Sequence, residues 1–378
     1  MAMKSVNPFP INQYLGPYYF CDREEETSRL ISNLVNGNST TLIAHRRIGK
    51  TGLIHHVFHK LPKGWQGIYI DIQETENLFD FLNLLATGLA RAIPQKTRTG
   101  TRFWGFLASL RPVFSFDGLS GQPQVSFDIK STDPQKDLES ILKVLDGLGE
   151  KFVIAIDEFQ QIIQYPETNT DTWLRSKMQQ LHNVFFIFSG SQQHLMTELF
   201  SSPDRPFYRS TLFMKLDKLP GDVYAKFIRK KFQENKKSID LPVIKEMLEW
   251  TNHHTFYVQQ LCNRVFAQTT DVATPELWRQ VAGSILAEQE IVFFTIRNLL
   301  TKHQWRLLKA IAADHKVYQP TAGNFISRNE LGSSAAVLRS LNVLITNELV
   351  MHDFDKDGNS FYAVYDVYLQ RWVEMNRL

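Results

Sequence analysis

A chain of 378 residues, 43% hydrophobic and 21% charged, is long enough for two or three domains, and its composition excludes a disordered or fibrous protein. The 42 basic and 39 acidic residues leave a formal charge of +3, too small to argue by itself for nucleic acid or an anionic membrane. Cys21 and Cys262 lie far apart without metal-type spacing and read as buried thiols of a reducing compartment.

The start, MAMKSVNPFPINQYL, lacks the apolar run of a signal peptide, so a cytoplasmic location is the expectation. Glu24 to Asn36 has helical spacing of apolar residues, and TTLIA (40–44) reads as a buried strand. A helix over Lys50 to Lys60, a strand at GIYIDI (67–72) and a helix over Leu78 to Ala92 follow. LRPVFSFDGLSGQPQVSFDI (110–129) breaks the alternation; two alternating runs around Gly118, Gly121 and Pro123 predict an inserted β-hairpin at about 110–130. KFVIAID (151–157), VFFIFSG (184–190) and LFMKLDKL (212–219) complete a mostly parallel five-stranded sheet in an α/β architecture. FVIAI and VFFIF are too short to cross a bilayer. After Pro220 the strands are expected to stop, with helices over Asp222 to Gln233, Leu241 to Thr251, Phe256 to Ala267 and Pro275 to Leu300. Two or three more helices precede ELVMHDFDKDGNSFYAVYD, whose two short strands around an Asp-Gly-Asn turn are similar to the wing of a winged-helix module.

One junction carries chemistry. The strand TTLIA runs through a turn, Ala44, His45, Arg46, Arg47 and Ile48, into Gly49-Lys50-Thr51-Gly52 at a helix start. Backbone N–H groups there can hold phosphates, Lys50 can reach the β- and γ-phosphates, and the Thr51 hydroxyl can ligate Mg²⁺. Ala44 stands where this motif ordinarily opens with glycine, and alanine makes that turn if φ stays negative. KFVIAIDE adds Asp157, placed to hold Mg²⁺, and Glu158, placed to orient water. Both features sit at carboxyl ends of strands, where open α/β sheets bind ligands. VFFIFSGSQQ ends in Ser189 and Ser191, whose hydroxyls are within reach of a γ-phosphate in such a site.

Together, YFCDREEETSRL, RRIGKT, VIAIDEFQQI, FIFSGSQQHLM and FYVQQLC resemble the archaeal-type ATPases, members of the AAA+ and STAND side of the P-loop ATPases. The likeness runs from about Asn7 to a closing YAVYDVYLQRWV. It implies an AAA+-like P-loop NTPase core (1–217), a helical lid (218–300) and a winged-helix domain (301–378), with ATP and Mg²⁺ between core and lid. Carried over by position, Lys50 and Thr51 are Walker A, Asp157 and Glu158 Walker B and Ser191 the first sensor; Arg23 lies near adenine, and His254 is the lid imidazole. The chain departs from the pattern at Thr255 and Val367, where the family has proline. Arg205 and Arg209 precede the last core strand, where an arginine finger acting on a neighbouring subunit can originate; an ordinary surface or salt-bridged arginine is the plainer reading, and oligomeric state stays open.

Other signals are weaker. DFDKDG (353–358) starts like an EF-hand loop, but Val364 falls where a bidentate Glu is required. His55 and His59 have zinc spacing without a third ligand, and KFIRKKFQENKK reads as a solvated helix face. The candidate recognition helix offers only Arg339 as a cation, and the wing carries Asp353, Asp355 and Asp357, which disfavours DNA and favours a protein partner. The expectation is an ATPase acting as a nucleotide-driven switch. Its rivals are a nucleotide-regulated DNA-binding protein and a non-hydrolysing ATP- or ADP-bound scaffold.

Overall fold

The structure is a computed structural model and describes residues 7–11, 13–118, 121–127 and 133–376; the expected hairpin's residues 119–120 and 128–130 lie outside it. The chain forms two compact units, 12–219 and 220–378 together with 1–11.

The first unit contains α1 (Glu24–Val35), β1 (Thr40–Ile43), α2 (Lys50–Lys60), β2 (Trp65–Asp71), α3 (Leu78–Ala92), α4 (Arg98–Ser109), β3 (Val113–Phe116), β4 (Pro123–Ser126) and α5 (Pro134–Asp146). It continues with β5 (Lys151–Asp157), α6 (Thr170–Met178), β6 (Val184–Gly190), α7 (Gln193–Ser201) and β7 (Leu212–Lys215). Five strands make one sheet in the order β2-β5-β6-β1-β7, all pairs parallel. Its inner strands are buried almost throughout and mostly apolar because both faces are covered. Ile154, Ile156, Phe186 and Phe188 meet Leu82 and Leu85 of α3 and Ile141 and Leu142 of α5 on one face. Val153, Ala155 and Ile187 meet Leu30 of α1 and Leu53, Ile54 and Val57 of α2 on the other. Each of these Val, Leu, Ile and Phe side chains contributes about 1.5–3 kcal/mol on burial.

The crossover from β2 to β5 is long. α3 and α5 are its packed helices, started by Asn77 and Asp133, which accept N–H bonds from Asp80 and Lys136. Between them come α4 and the antiparallel pair β3–β4. Gly100 in the first turn of α4 has no room for a side chain: a Cβ there would lie 1.9 Å from the Pro94 carbonyl oxygen. The hairpin hangs on α3 through Thr87 Oγ1, which donates to Val125 O (3.1 Å) and accepts from Val125 N (3.0 Å), and through Asn83 Oδ1, which accepts from Phe127 N (2.9 Å).

The second unit contains α8 (Gly221–Glu234), β8 (Ser238–Ile239), α9 (Leu241–Trp250), α10 (Thr255–Gln268), β9 (Val272–Ala273), α11 (Pro275–Leu299) and α12 (Lys302–Asp314). It ends with α13 (Gly323–Arg328), α14 (Ser334–Thr346), β10 (Val350–Phe354), β11 (Ser360–Val364) and α15 (Val367–Met375). The strands therefore do not stop at Pro220: β8 and β9 form a two-residue parallel pair, too short to leave a periodic trace. Residues 7–11 group here, not with the sheet as the sequence suggested. The Phe9 ring packs on Phe227, Phe232 and Phe266, and Asn7 and Asn263 each donate to the other segment's backbone at 2.8 Å.

Antiparallel β10 and β11 follow α12, α13 and α14 as a wing, joined by a bridge from Val317 to Tyr362. In α15, Asp366 accepts N–H bonds from Tyr368 and Leu369, so the helix starts on a side-chain cap without the proline of the pattern. Tyr368 packs on Trp250 and Tyr257, and Arg371 Nε donates to Trp250 O at 2.8 Å. Among the described residues no helix is long and apolar enough to cross a membrane.

Candidate nucleotide-binding site

The loop from β1 to α2 opens at the carboxyl edge of the sheet, beside the ends of β5 and β6. Ala44 is fully buried and its backbone is not left-handed, so its Cβ is accommodated without strain. The turn is made instead by Arg47 (φ 61°) and Gly49 (φ 104°), with Ile48 buried in the core between them. Gly49 is the N-cap of α2 and supplies no side-chain acceptor, so the first N–H groups of the helix face outward from its positive end.

Lys50 is only 6% exposed, yet it is a cation at a helix N-terminus, where cations are unfavourable. Its Nζ lies 3.5 Å from Glu158 Oε1. Thr51 Oγ1 donates to Asp157 Oδ2 at 3.1 Å. The same carboxylate accepts from Tyr69 OH at 2.8 Å and from Ser189 Oγ at 2.5 Å. Glu158 leaves the strand in a left-handed conformation (φ 54°) and accepts from Gln160 Nε2 (2.6 Å), Ser191 N (3.1 Å) and Ser191 Oγ (2.8 Å). Arg46 Nε donates to Ser191 Oγ at 3.3 Å, which links the loop to the end of β6.

These contacts set the acidities. Burial pushes the Glu158 carboxyl up, but Lys50 and the bonds from Gln160 and Ser191 outweigh it and hold the group below its ordinary value. Asp71, whose register partner on β5 is Asp157, goes the other way: burial raises it and the charges of Asp157 and Glu158 add to this, against the Gln73 N–H and Lys50. Burial and the neighbouring Asp157 also raise the Tyr69 hydroxyl, keeping it a donor. His55 is lowered by burial despite Asp157.

The donor set fits a polyphosphate with a hard divalent cation: an ammonium, a helix N-terminus and an arginine for the anion, with a hydroxyl beside carboxylates for the metal. A Gly190 Cβ would lie 2.2 Å from Gln160 Oε1 and 2.7 Å from Met196 Cγ and Sδ, so glycine there lets the Gln160 amide reach Glu158.

A region described as "Probable winged helix domain" matches residues 291–375. Among solved structures, the Walker-type ATPase paby2304 of Pyrococcus abyssi aligns over 97% of this chain and 99% of its own, at 18% identity and a TM-score of 0.64. The chain has the fold of a Walker-type ATPase. The Aeropyrum pernix ORC2 protein, solved as ADPNP-ADP complexes, aligns over 98% of both chains at 11% identity and TM-score 0.59. Cdc6p of Pyrobaculum aerophilum aligns over 97% of both at 11% and 0.51. No curated protein matches the chain. The AAA+-like α/β core and the C-terminal winged helix are thus shared with archaeal Walker-type ATPases.

Within this Walker-type fold, Lys50, Thr51, Asp157, Glu158, Ser191 and Arg46 form one bonded group. Gly52 instead faces the Phe20 ring, 3.4 Å from where its Cβ would be. Arg23 is 4% exposed and donates to Glu26 Oε1 (2.7 Å) and Asp217 O (2.6 Å), tying α1 to the residues after β7. His254 belongs to the second unit, at the N-cap of α10. Arg205 is paired with Glu198, and Arg209 lies over the Tyr208 ring. Three neighbours of this group escape sequence reasoning: Tyr69 and Gln160, which donate to its carboxylates, and Asp71, the register partner of Asp157. Asp71 left a signal, since GIYIDI ends in a carboxylate on the strand that pairs with KFVIAID. Tyr69 and Gln160 left none.

Proposed function

We propose that the protein is a Mg²⁺-dependent ATPase that works as a nucleotide-driven switch with protein partners. A core to residue 217, a lid over 218–300 and a winged helix over 301–378 would be its working parts. The observation that carries this reading is the direct bonding of Lys50 and Thr51, after β1, to Glu158 and Asp157, at the end of β5 two strands away in the sheet. Lys50 and the N–H groups of Gly49, Lys50 and Thr51 bind the phosphates. Thr51 and Asp157 hold the metal, and Tyr69 and Ser189 fix the Asp157 carboxylate. Bound Mg²⁺-ATP supplies the phosphoanhydride and the charge neutralisation that lets it be attacked. Ser191 and Arg46 face the terminal phosphate, and Glu158 draws the proton from the attacking water.

The pairing of Lys50 with Glu158 gives this arrangement a resting state. A carboxylate held by Lys50, Gln160 and Ser191 is a weak base. When Lys50 and Ser191 turn to phosphate oxygens, two of those holds are released and Glu158 becomes more basic. The acidic wing, with Asp353, Asp355 and Asp357, supports protein over DNA as the partner. In single-turnover assays Glu158→Gln should bind ATP and lose most hydrolysis, whereas hydrolysis at the wild-type rate would refute Glu158 as the base.

A further inference from the structure

β2 is an outer strand of the five-stranded sheet and pairs only with β5. Lys151 N donates to Gly64 O at 3.0 Å and Ile72 N to Asp157 O at 3.2 Å, so the even-numbered residues along β2 turn their main-chain groups to β5. By the parallel alternation, the N–H and C=O groups of Gly67, Tyr69 and Asp71 point away from the sheet. None of these main-chain groups has a bonding partner among the described residues.

The bare edge is recessed. Its residues 67–70 line a cavity of about 240 Å³ with Leu84, Gly88 and Ala92 of α3. A second cavity, of about 640 Å³, continues from it, because Leu84, Thr87 and Arg91 border both. Its other walls are the turn after β2, with Asp71 and Glu74, and Gln124, Val125 and Ser126 of β4. The two make one groove with α3 as its floor, the β2 edge on one side and the hairpin on the other. The hairpin side is closed at Val125, whose N–H and C=O both bond Thr87 Oγ1. Charge along the groove is unequal. Asp71, Glu74 and Asp80 line it, and none of them forms an ion pair among the described residues. Arg91 is the single cation among the described residues that line it, and its Nε is already on Pro123 O at 2.9 Å. Burial and the charges of Asp157 and Glu158 raise the Asp71 carboxyl, an effect that a cation docked beside it would offset.

We propose that this groove takes an extended, basic segment of a partner protein, added to the sheet as a further strand beside β2. Its main chain bonds Gly67, Tyr69 and Asp71, its apolar side chains meet Leu84, Gly88 and Ala92, and its lysines or arginines reach Asp71, Glu74 and Asp80. A second copy of this chain does not supply that strand through its own β2, because that edge lies between the same two walls and two recessed edges do not meet. Nucleic acid fits poorly, since the carboxylates repel its phosphates. A small molecule leaves main-chain groups at strand spacing unanswered. The groove names a partner's docking site for the switch proposed above, yet binding there needs no ATP hydrolysis; titrated without nucleotide, either reading can fail alone.

The test uses the full chain and fluorescence anisotropy. The probe is a labelled peptide of about ten alternating valine and lysine residues, long enough to cover the edge; its glutamate counterpart and a labelled oligo-dT are the comparisons. The valine–lysine peptide should bind. Glu74→Lys, which reverses an exposed charge, and Ala92→Trp, which fills the groove at the β2 edge, should each weaken binding by about tenfold or more. Retained melting temperature and ATP-analogue affinity in each variant separate a blocked groove from a lost fold. N-methylation of every second peptide residue, made in both phases, tests the main-chain bonds on the unaltered protein: only alternate N–H groups face β2, so one phase should lose about tenfold in affinity. Equal binding of the glutamate peptide, preference for oligo-dT, self-association abolished by Ala92→Trp, no loss with either N-methylated peptide, or no peptide binding would each overturn the proposal.

Discussion

Replacing Glu158 by glutamine separates the two partners that compete for Lys50. In the resting protein the Lys50–Glu158 separation is 3.5 Å, with side chains 7% and 14% exposed. At an effective dielectric of about 20, two unit charges at that distance attract by about 5 kcal/mol. Desolvating two mostly buried ions takes back much of this, leaving a net of about 1–2 kcal/mol. Glutamine is isosteric and keeps an acceptor for Gln160 and Ser191, but its NH2 then faces the Lys50 ammonium, and Lys50 is left buried without its counter-charge. Two results follow with one cause. The nucleotide-free variant should melt at a lower temperature than the wild type. It should also bind a non-hydrolysable ATP analogue more tightly, by about 5- to 30-fold, because the phosphates no longer displace Glu158 from Lys50. Thermal melts and analogue titrations at one fixed salt concentration read both. Unchanged melting together with unchanged or weaker affinity would show that the pair does not compete with nucleotide, and the resting-state argument would fail.

Gly190→Ala places a Cβ against Gln160 Oε1 and Met196, both buried, and should cost about 1–3 kcal/mol by overpacking. Thermal denaturation should show the loss, and hydrolysis should fall with analogue affinity kept, since Gln160 is pushed off Glu158 and not off the phosphate loop. Acidity offers a pair of opposite signs. Because the folded protein lowers Glu158 below its ordinary 4.5, its contribution is complete above that pH and disappears as pH falls through the lower folded value. Stability measured from pH 7 into this acid range should therefore drop less in Glu158→Gln than in the wild type. Asp71 is raised, so its ionisation opposes folding, and Asp71→Asn should stabilise the nucleotide-free protein at pH 7. A destabilised Asp71→Asn protein would contradict that placement.

What the sequence revealed and what it hid have a common physical origin. FVIAID and VFFIFSG read as strands because a sheet covered on both faces needs unbroken apolar runs, and the carboxylates and hydroxyls at their ends mark the edge where ligands bind. Lys50, Thr51, Asp157 and Glu158 were legible for that reason. Tyr69 and Gln160 were not, because their roles depend on which strand neighbours which and on a missing Cβ at Gly190. Phe9 was likewise misplaced: nothing near it in sequence tells that its rings of contact lie beyond Phe227. The hairpin was visible from its turn residues, but its attachment came from Thr87 and Asn83 on a separate helix.

The position of that hairpin has a consequence for how such a protein can change. β2 and β5 are neighbours in the sheet, and α3 and α5 already pack on one another to carry the chain between them. The α4–hairpin stretch, between the end of α3 at Ala92 and the start of α5 at Pro134, is an excursion from that crossover, anchored in the shared core by Phe103, Leu107 and Val125. A different excursion between the same two helices that kept those anchors would leave the strand order, and with it Lys50, Asp157 and Glu158, where they are. That stretch can therefore vary in sequence and length independently of the residues at the carboxyl edge of the sheet, provided its core anchors are kept.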